Sequence, residues 1–160
     1  MKQIWRFVQD TDCTRIPVLK KVEEINDRIV REGLRTEYGM GVGKHLYERM
    51  KKSGVMEFQT YIAACAAAAA DARMAGCPLP VMATTGSGNQ GITASVPVLA
   101  AAEWMKCSED QKYRALALSE LVTIHVKEYI GRLSALCGCA IAASIGSACG
   151  LTFLLGGEYE

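Results

Sequence analysis

The sequence predicts an all-α fold: a compact bundle of helices packed through small residues, with a glycine-rich loop at one helix N-terminus. Three observations carry that expectation. Apolar residues recur at spacings of three and four along most of the chain. The run "AACAAAAADA" is almost pure helix former with little side-chain bulk, so other helices can pack close to it. Strict alternation over a strand's length is missing, and only "PLPVMATT" could make a short strand. With 160 residues, half of them hydrophobic, the chain fits one domain over residues 1–160.

The elements follow in order. Residues 2–10 place Ile4, Trp5, Phe7 and Val8 on helical spacing. Thr14 and Pro17 open a second amphipathic run to about Arg35. There Val18, Val22, Ile25, Ile29 and Val30 form the apolar face, Lys20, Lys21, Glu23, Glu24, Asp27 and Arg28 stay in water, and Gly33 weakens the end. "YGMGVGKHLYERMKK" starts on glycines and continues as a short basic helix stopped by Ser53-Gly54. A fourth, central helix runs from about Met56 to Met74. Cys77-Pro78-Leu79-Pro80 breaks it, because proline removes a backbone donor and turns its predecessor away from helix. After the turn "GSGNQG", Ile92 to Lys106 reads as a helix with Pro97 near its first turns. Ser108-Glu109-Asp110 caps a long one ending near Arg132. The last segment, Leu133 to Gly157, is uncharged and carries Gly138, Ala142, Gly146 and Gly150 at every fourth position.

Composition excludes several function classes. A net charge of +1 with interspersed signs offers no basic stripe to nucleic acid and no cationic face to a lipid surface. The last segment is long enough to span a bilayer, yet it relies on alanine, glycine and serine and is followed by "EYE" rather than a basic cluster. No membrane span is expected. Seven cysteines are an odd number, and Cys65, Cys137, Cys139 and Cys149 sit in apolar, alanine-rich stretches. That pattern suits a reducing, cytoplasmic setting. The start "MKQIWRFVQD" lacks the apolar core and cleavage site of a signal peptide.

Few motifs carry chemistry. "YGMGVGKH" fails as a phosphate loop, since Tyr38 stands where the first glycine belongs and His45 where the hydroxyl belongs. His45 and His125 are isolated on helical stretches and receive no role. In "GSGNQG", Gly86, Gly88 and Gly91 let a backbone approach a ligand, while Ser87, Asn89 and Gln90 supply donors and acceptors. Free amides and the dipole at a helix start would receive a carboxylate; equally, Ser87 or Asn89 could simply cap the helix. "LCGCAIAASIGSACG" puts Cys137 and Cys139 at a helix entrance. One Cys-x-Cys does not make a zinc knuckle, so the open readings are buried apolar cysteines or thiolates for an iron–sulfur cluster.

"DARMAG" (71–76), "LPVMATTGSGNQGITASVPV" (79–98) and "GRLSALCGCAIAASIGSACGLTFLLGG" (131–157) resemble the L-cysteine desulfidase family, a relative of the iron–sulfur L-serine dehydratase alpha chain. "INDRIVREGL" and "YGMGVGKHLYERM" extend the likeness. The resemblance implies a cytoplasmic lyase that eliminates sulfide from L-cysteine, or water from L-serine, leaving pyruvate and ammonia. It implies a [4Fe–4S] cluster on three cysteines, one iron being open as a Lewis acid, with Cys139 as ligand and Cys137 as its alternative. Gly86, Ser87, Gly88, Asn89 and Gln90 would bind the amino acid, and Cys149 would serve packing. Family members are longer and draw further ligands from elsewhere, so this chain reads as an internal piece of the catalytic domain. Its cluster is expected to be absent or incomplete in the chain alone. Cys13, in "QDTDCTRIP", departs from the family's Gly-Cys-Thr-Glu-Pro context and is not recruited. The implied partners are the amino acid substrate, further copies of the chain, or complementary segments of a full-length protein. No general base is assigned. The competing reading is a non-catalytic helical fragment or partner subunit that binds an anion or assembles through its small-residue helix.

Overall fold

The computed structural model describes residues 1–131 and 134–159. Among them are seven α-helices and no strand: α1 (Lys2–Asp10), α2 (Pro17–Arg35), α3 (Val42–Ser53), α4 (Phe58–Met74), α5 (Gly88–Met105), α6 (Glu109–Ile130) and α7 (Ser144–Leu154). A 3-10 turn at Cys13–Arg15 precedes α2, and a π turn at Cys139–Ala143 leads into α7. The strand considered for "PLPVMATT" is reduced to a single bridge between Thr84 and Ser87. The boundaries expected at Arg132 and Leu133 lie outside the described residues.

Small residues decide the packing. Ala64, Ala68, Ala69 and Ala72 of α4 are fully buried, and a Cβ on Gly33 of α2 or Gly43 of α3 would strike the backbone of Ala68. Gly33 therefore does not weaken α2, which continues to Arg35; it is where α2 crosses α4 with no room for a side chain. The stripe on the last segment works alike: Gly146 faces Thr123 and the Ser119 carbonyl, and Gly150 faces Val98 and the Ala115 carbonyl. That stripe seats α7 on α5 and α6. Among the described residues no helix is long and apolar enough to cross a membrane.

Two apolar clusters share the interior. One joins Val8, Cys13, Leu19, Val22, Leu116 and Val122 between α1, α2 and α6; the other joins Ile29, Val30, Cys65, Ala69, Ile92 and Val96 between α2, α4 and α5. The face read for α2 needs correction in three places. Val18 is 51% exposed and Leu19 takes its place inside. Asn26 is fully buried. Glu23, placed in water by the sequence, accepts from Lys112 Nζ at 2.6 Å and Tyr113 OH at 2.5 Å, tying α2 to α6. A capping box between Ser108 and Gln111 starts α6, with Glu109 and Asp110 in its first turn. Two turns on, Arg114 holds the Val8 and Gln9 carbonyls at the end of α1.

Candidate substrate and thiol site

The site begins with Asn26. Its Nδ2 donates to Ser95 Oγ at 2.8 Å, and its Oδ1 accepts the Met82 N–H at 2.9 Å. A residue of α2 thus fastens the extended crossing 80–83 onto α5. A Cβ on Gly91 would collide with the Met82 carbonyl, so only glycine lets the crossing lie this close. The crossing then reverses through Thr84–Ser87, whose backbones exchange hydrogen bonds of 3.1 and 3.2 Å. Both central residues have positive φ, +53° at Thr85 and +83° at Gly86. Left-handed geometry is ordinary for glycine and costly for a β-branched threonine. Thr85 is held there by its hydroxyl, 2.7 Å from both the Thr84 carbonyl and Gln90 Oε1.

The turn delivers the chain into α5 four residues earlier than the expected start at Ile92, so Gly88, Asn89 and Gln90 form its first turn. Pro97 consequently lies inside the helix, where it leaves the Thr93 carbonyl without its usual donor. Ser87 is the N-cap: its Oγ accepts the Gln90 N–H at 3.4 Å, and its carbonyl accepts the Gly91 N–H at 3.0 Å. Among the described residues the N–H groups of Gly88 and Asn89 have no acceptor, as expected for the first amides of a helix. Arg73, from the end of α4, lies over this end. A Cβ on Gly88 would come within 2.5 Å of its Nε, and its guanidinium donates to Asn89 Oδ1 at 3.0 Å. The dipole end of α5 and a guanidinium therefore converge on one partly covered spot, which suits an anion.

The cysteines arrive from the other side. A Cβ on Gly138 would meet Gln90 Nε2 at 2.6 Å, so the Cys137-Gly138-Cys139 entrance rests on the first turn of α5. Cys139 is half-buried; burial and then its neighbour Cys137 raise its pKa, opposed by the Thr93 side chain and the Arg73 charge. Cys137 is exposed, and the backbone N–H groups of Ala140 and then Cys139 lower its pKa. Cys149 and Cys13 pack with the α1–α6 cluster. His125 stacks edge-on against Tyr129 on the same helix. Gly86, Ser87, Gly88, Asn89 and Gln90 are thus gathered with Cys137 and Cys139. Two side chains of that set are engaged within the protein: Asn89 Oδ1 accepts from Arg73, and Gln90 lies between Thr85 and Gly138.

The sequence reading missed Arg73, Thr93 and Glu120. Arg73 stood in the quoted "DARMAG", and Glu120 is the lone acid in "ALALSELVTIHV". Glu120 Oε2 accepts from Thr84 Oγ1 at 2.6 Å, while its Oε1 is shielded and has no partner among the described residues. Burial pushes this carboxyl up to about 7, opposed by the Thr84 hydrogen bond. A cavity of about 450 Å³ opens toward the opposite end of α5, between Glu24, Asp27, Glu103 and Lys106, and has no part in this site.

As for metal, the described residues contain no group of three or more His, Cys, Asp or Glu placed to hold an ion. Cys137 and Cys139 have the right chemistry for a cluster's thiolates, but two neighbouring thiols are a partial ligand set.

The protein is thus an all-α bundle that sets a glycine-rich helix start beside a Cys-Gly-Cys entrance. The chain belongs to the serine dehydratase alpha chain family, which it matches over residues 2–160. It is 42% identical over 158 residues to a protein of Clostridium perfringens, covering 98% of this chain and 37% of the relative. A Fusobacterium nucleatum protein is 45% identical over 163 residues, 100% of this chain and 38% of the relative. One from Phocaeicola vulgatus is 41% identical over 162 residues, with 100% and 37% covered. Each carries only the designation UPF0597 protein. The chain therefore spans well under half the length of these relatives. No solved structure matches it.

Proposed function

We propose that the chain is part of an iron–sulfur lyase acting on L-cysteine or L-serine, and that the start of α5 holds the carboxylate of the amino acid. The observation that carries the reading is the contact between Gly138 and Gln90, which puts the cysteine entrance against the glycine-rich turn. Membership of the serine dehydratase alpha chain family supports lyase chemistry. In this reading the Gly88 and Asn89 amides donate to the carboxylate, and Arg73 adds a compensating charge at short range. Cys139, or Cys137 in its place, supplies a thiolate toward a [4Fe–4S] cluster whose remaining ligands come from polypeptide outside this chain. When bound, such a cluster offers an open iron as a Lewis acid for the thiol or hydroxyl leaving from Cβ. Loss of the α-proton and of that group gives aminoacrylate, and water takes it to pyruvate and ammonia.

The carboxylate site is testable without the cluster. Titrating L-serine or L-cysteine into the chain should shift the amide NMR signals of Gly88, Asn89 and Gln90, and Arg73→Ala should weaken the response about tenfold. Shifts elsewhere, or none, would remove the substrate assignment. Anaerobic iron and sulfide determination on the longer Clostridium perfringens relative tests the cluster. Replacement of the cysteine aligned with Cys139 should lower its iron content, and pyruvate release from the two amino acids separates cysteine from serine.

The partial thiol set favours one further reading, a non-catalytic helical subunit that keeps the anion site and assembles through α7. It predicts amino acid binding with no iron retained in either protein.

A further inference from the structure

The last segment has one face buried and one bare. Ala142, Gly146 and Gly150 face α5 and α6, with Ala142 fully buried. On the outside Ile141, Ile145, Ala148, Thr152 and Leu155 follow one another at spacings of three and four, and all are exposed. Ile145 is 44% exposed, and Leu136 and Leu155 at the two ends are 56% and 65% exposed. From residue 134 to 157 there is no charged side chain. Beside this stripe lies a hollow of about 290 Å³ lined by Trp5, Leu118, Ile145, Cys149, Phe153 and Tyr159. A surface helix ordinarily turns a polar face outward, and a helix apolar on all sides belongs in an interior. A continuous exposed patch of this kind marks an interaction surface.

The occupant can be specified. A bilayer surface is unsuitable, because interfacial helices need a charged face and α7 has none. The relatives carry more than half of their length beyond the region matched here. The bare stripe also continues past Leu136 to Cys137, where the thiol set is partial.

We propose that the outer face of α7 is the seat of polypeptide corresponding to the part of the longer relatives that this chain does not match. That polypeptide covers Ile141, Ile145 and Leu155 with an uncharged, apolar surface of its own and places a bulky group in the hollow beside Trp5 and Phe153. The contact lies outside the carboxylate site and holds whether or not a lyase reaction takes place there.

Thiol footprinting tests it in intact proteins. Ile145→Cys in this chain should react with a maleimide at the rate of a free thiol, read peptide by peptide in mass spectrometry. A cysteine at the aligned position of the full-length Clostridium perfringens relative should react roughly 100-fold more slowly. Cysteines at position 18, where Val18 is exposed, and at its aligned position should react alike in both proteins. Equal rates at position 145 would overturn the proposal. So would protection in this chain alone that grows with its concentration, since a second copy would then be the occupant. Should the longer variant fail to fold, hydrogen exchange over α7 in the two unmodified proteins decides the matter, with slower exchange expected in the longer one and equal exchange counting against it.

Discussion

Gly138 lies against the side chain of Gln90, with room for a hydrogen and none for a methyl: a Cβ there would stand 2.6 Å from Nε2 and 2.9 Å from Oε1. The contact joins the two halves of the candidate site. Gly138→Ala should push Gln90 away from Thr85 and cost about 1–2 kcal/mol of stability. Gln90→Ala opens the space but removes the hydrogen bond that holds the strained Thr85. In the double variant the added methyl fills the space the amide left, so the cost should fall below the sum by on the order of 1 kcal/mol. Urea unfolding of the four proteins measures that coupling, and strict additivity would mean that the two residues do not touch.

The glycines beside Ala68 should behave differently from those in turns. Gly33→Ala and Gly43→Ala each press a methyl into the backbone of α4, which cannot swing aside as a side chain can. Each should cost about 2–3 kcal/mol or more. Gly76 has φ +84° and open space around its missing Cβ, so Gly76→Ala carries backbone strain alone and should cost about 1 kcal/mol. Thermal melts of the three variants should rank in that order.

The helices were legible because their signal is local. Spacing, the Ser108 cap and the Pro78/Pro80 break act within a turn or two of the chain, and α1, α3, α4 and α6 lie close to where the sequence puts them. What escaped depends on partners far along the chain. Asn26 looks like any polar residue of an amphipathic helix until Ser95 and Met82 come to meet it. Gly33 reads as a weak spot until Ala68 lies beneath it. The start of α5 moved back to Gly88 because the turn is closed by bonds across Thr84 and Ser87, which the spacing of apolar residues does not report. For the site, "GSGNQG" and Cys137/Cys139 carried their own signal, whereas Arg73 and Glu120 gain their roles from helices that meet only in the fold.

Asn26 should therefore be worth more than its place on α2 suggests. Asn26→Leu keeps the volume but leaves the part-buried Met82 N–H without its acceptor, a cost of about 2 kcal/mol. Ser95→Ala removes the acceptor for Nδ2 and the hydroxyl that donates to the Gly91 carbonyl at 2.7 Å, but keeps the Met82 bond, and should cost about 1–2 kcal/mol. Hydrogen exchange at Met82 should speed up in the first variant and stay nearly unchanged in the second. Because the crossing 80–83 leads into Thr84–Ser87, the first should also weaken the amino acid binding proposed for the start of α5.

Glu120 sets the expected pH dependence. Its carboxyl is raised from an ordinary 4.5 to about 7 by burial, so between those pH values the folded chain holds a proton that the unfolded chain has released. Stability from this group is thus fully present below pH 4.5, declines as pH rises, and is lost above about 7, a change on the order of 3 kcal/mol. Asp12 and Glu32 act in the opposite direction. Hydrogen bonds, chiefly from Thr14 and from Arg35 respectively, lower both, so their contribution is lost as pH falls. The difference between the parent and Glu120→Gln isolates the buried carboxyl, since glutamine imitates the protonated acid and still accepts from Thr84. Urea midpoints from pH 4 to 8.5 should show the two proteins nearly equal at the acid end and the variant more stable at the alkaline end. Parallel curves would mean that Glu120 ionises in the fold as it does in water and that burial does not hold a proton on it.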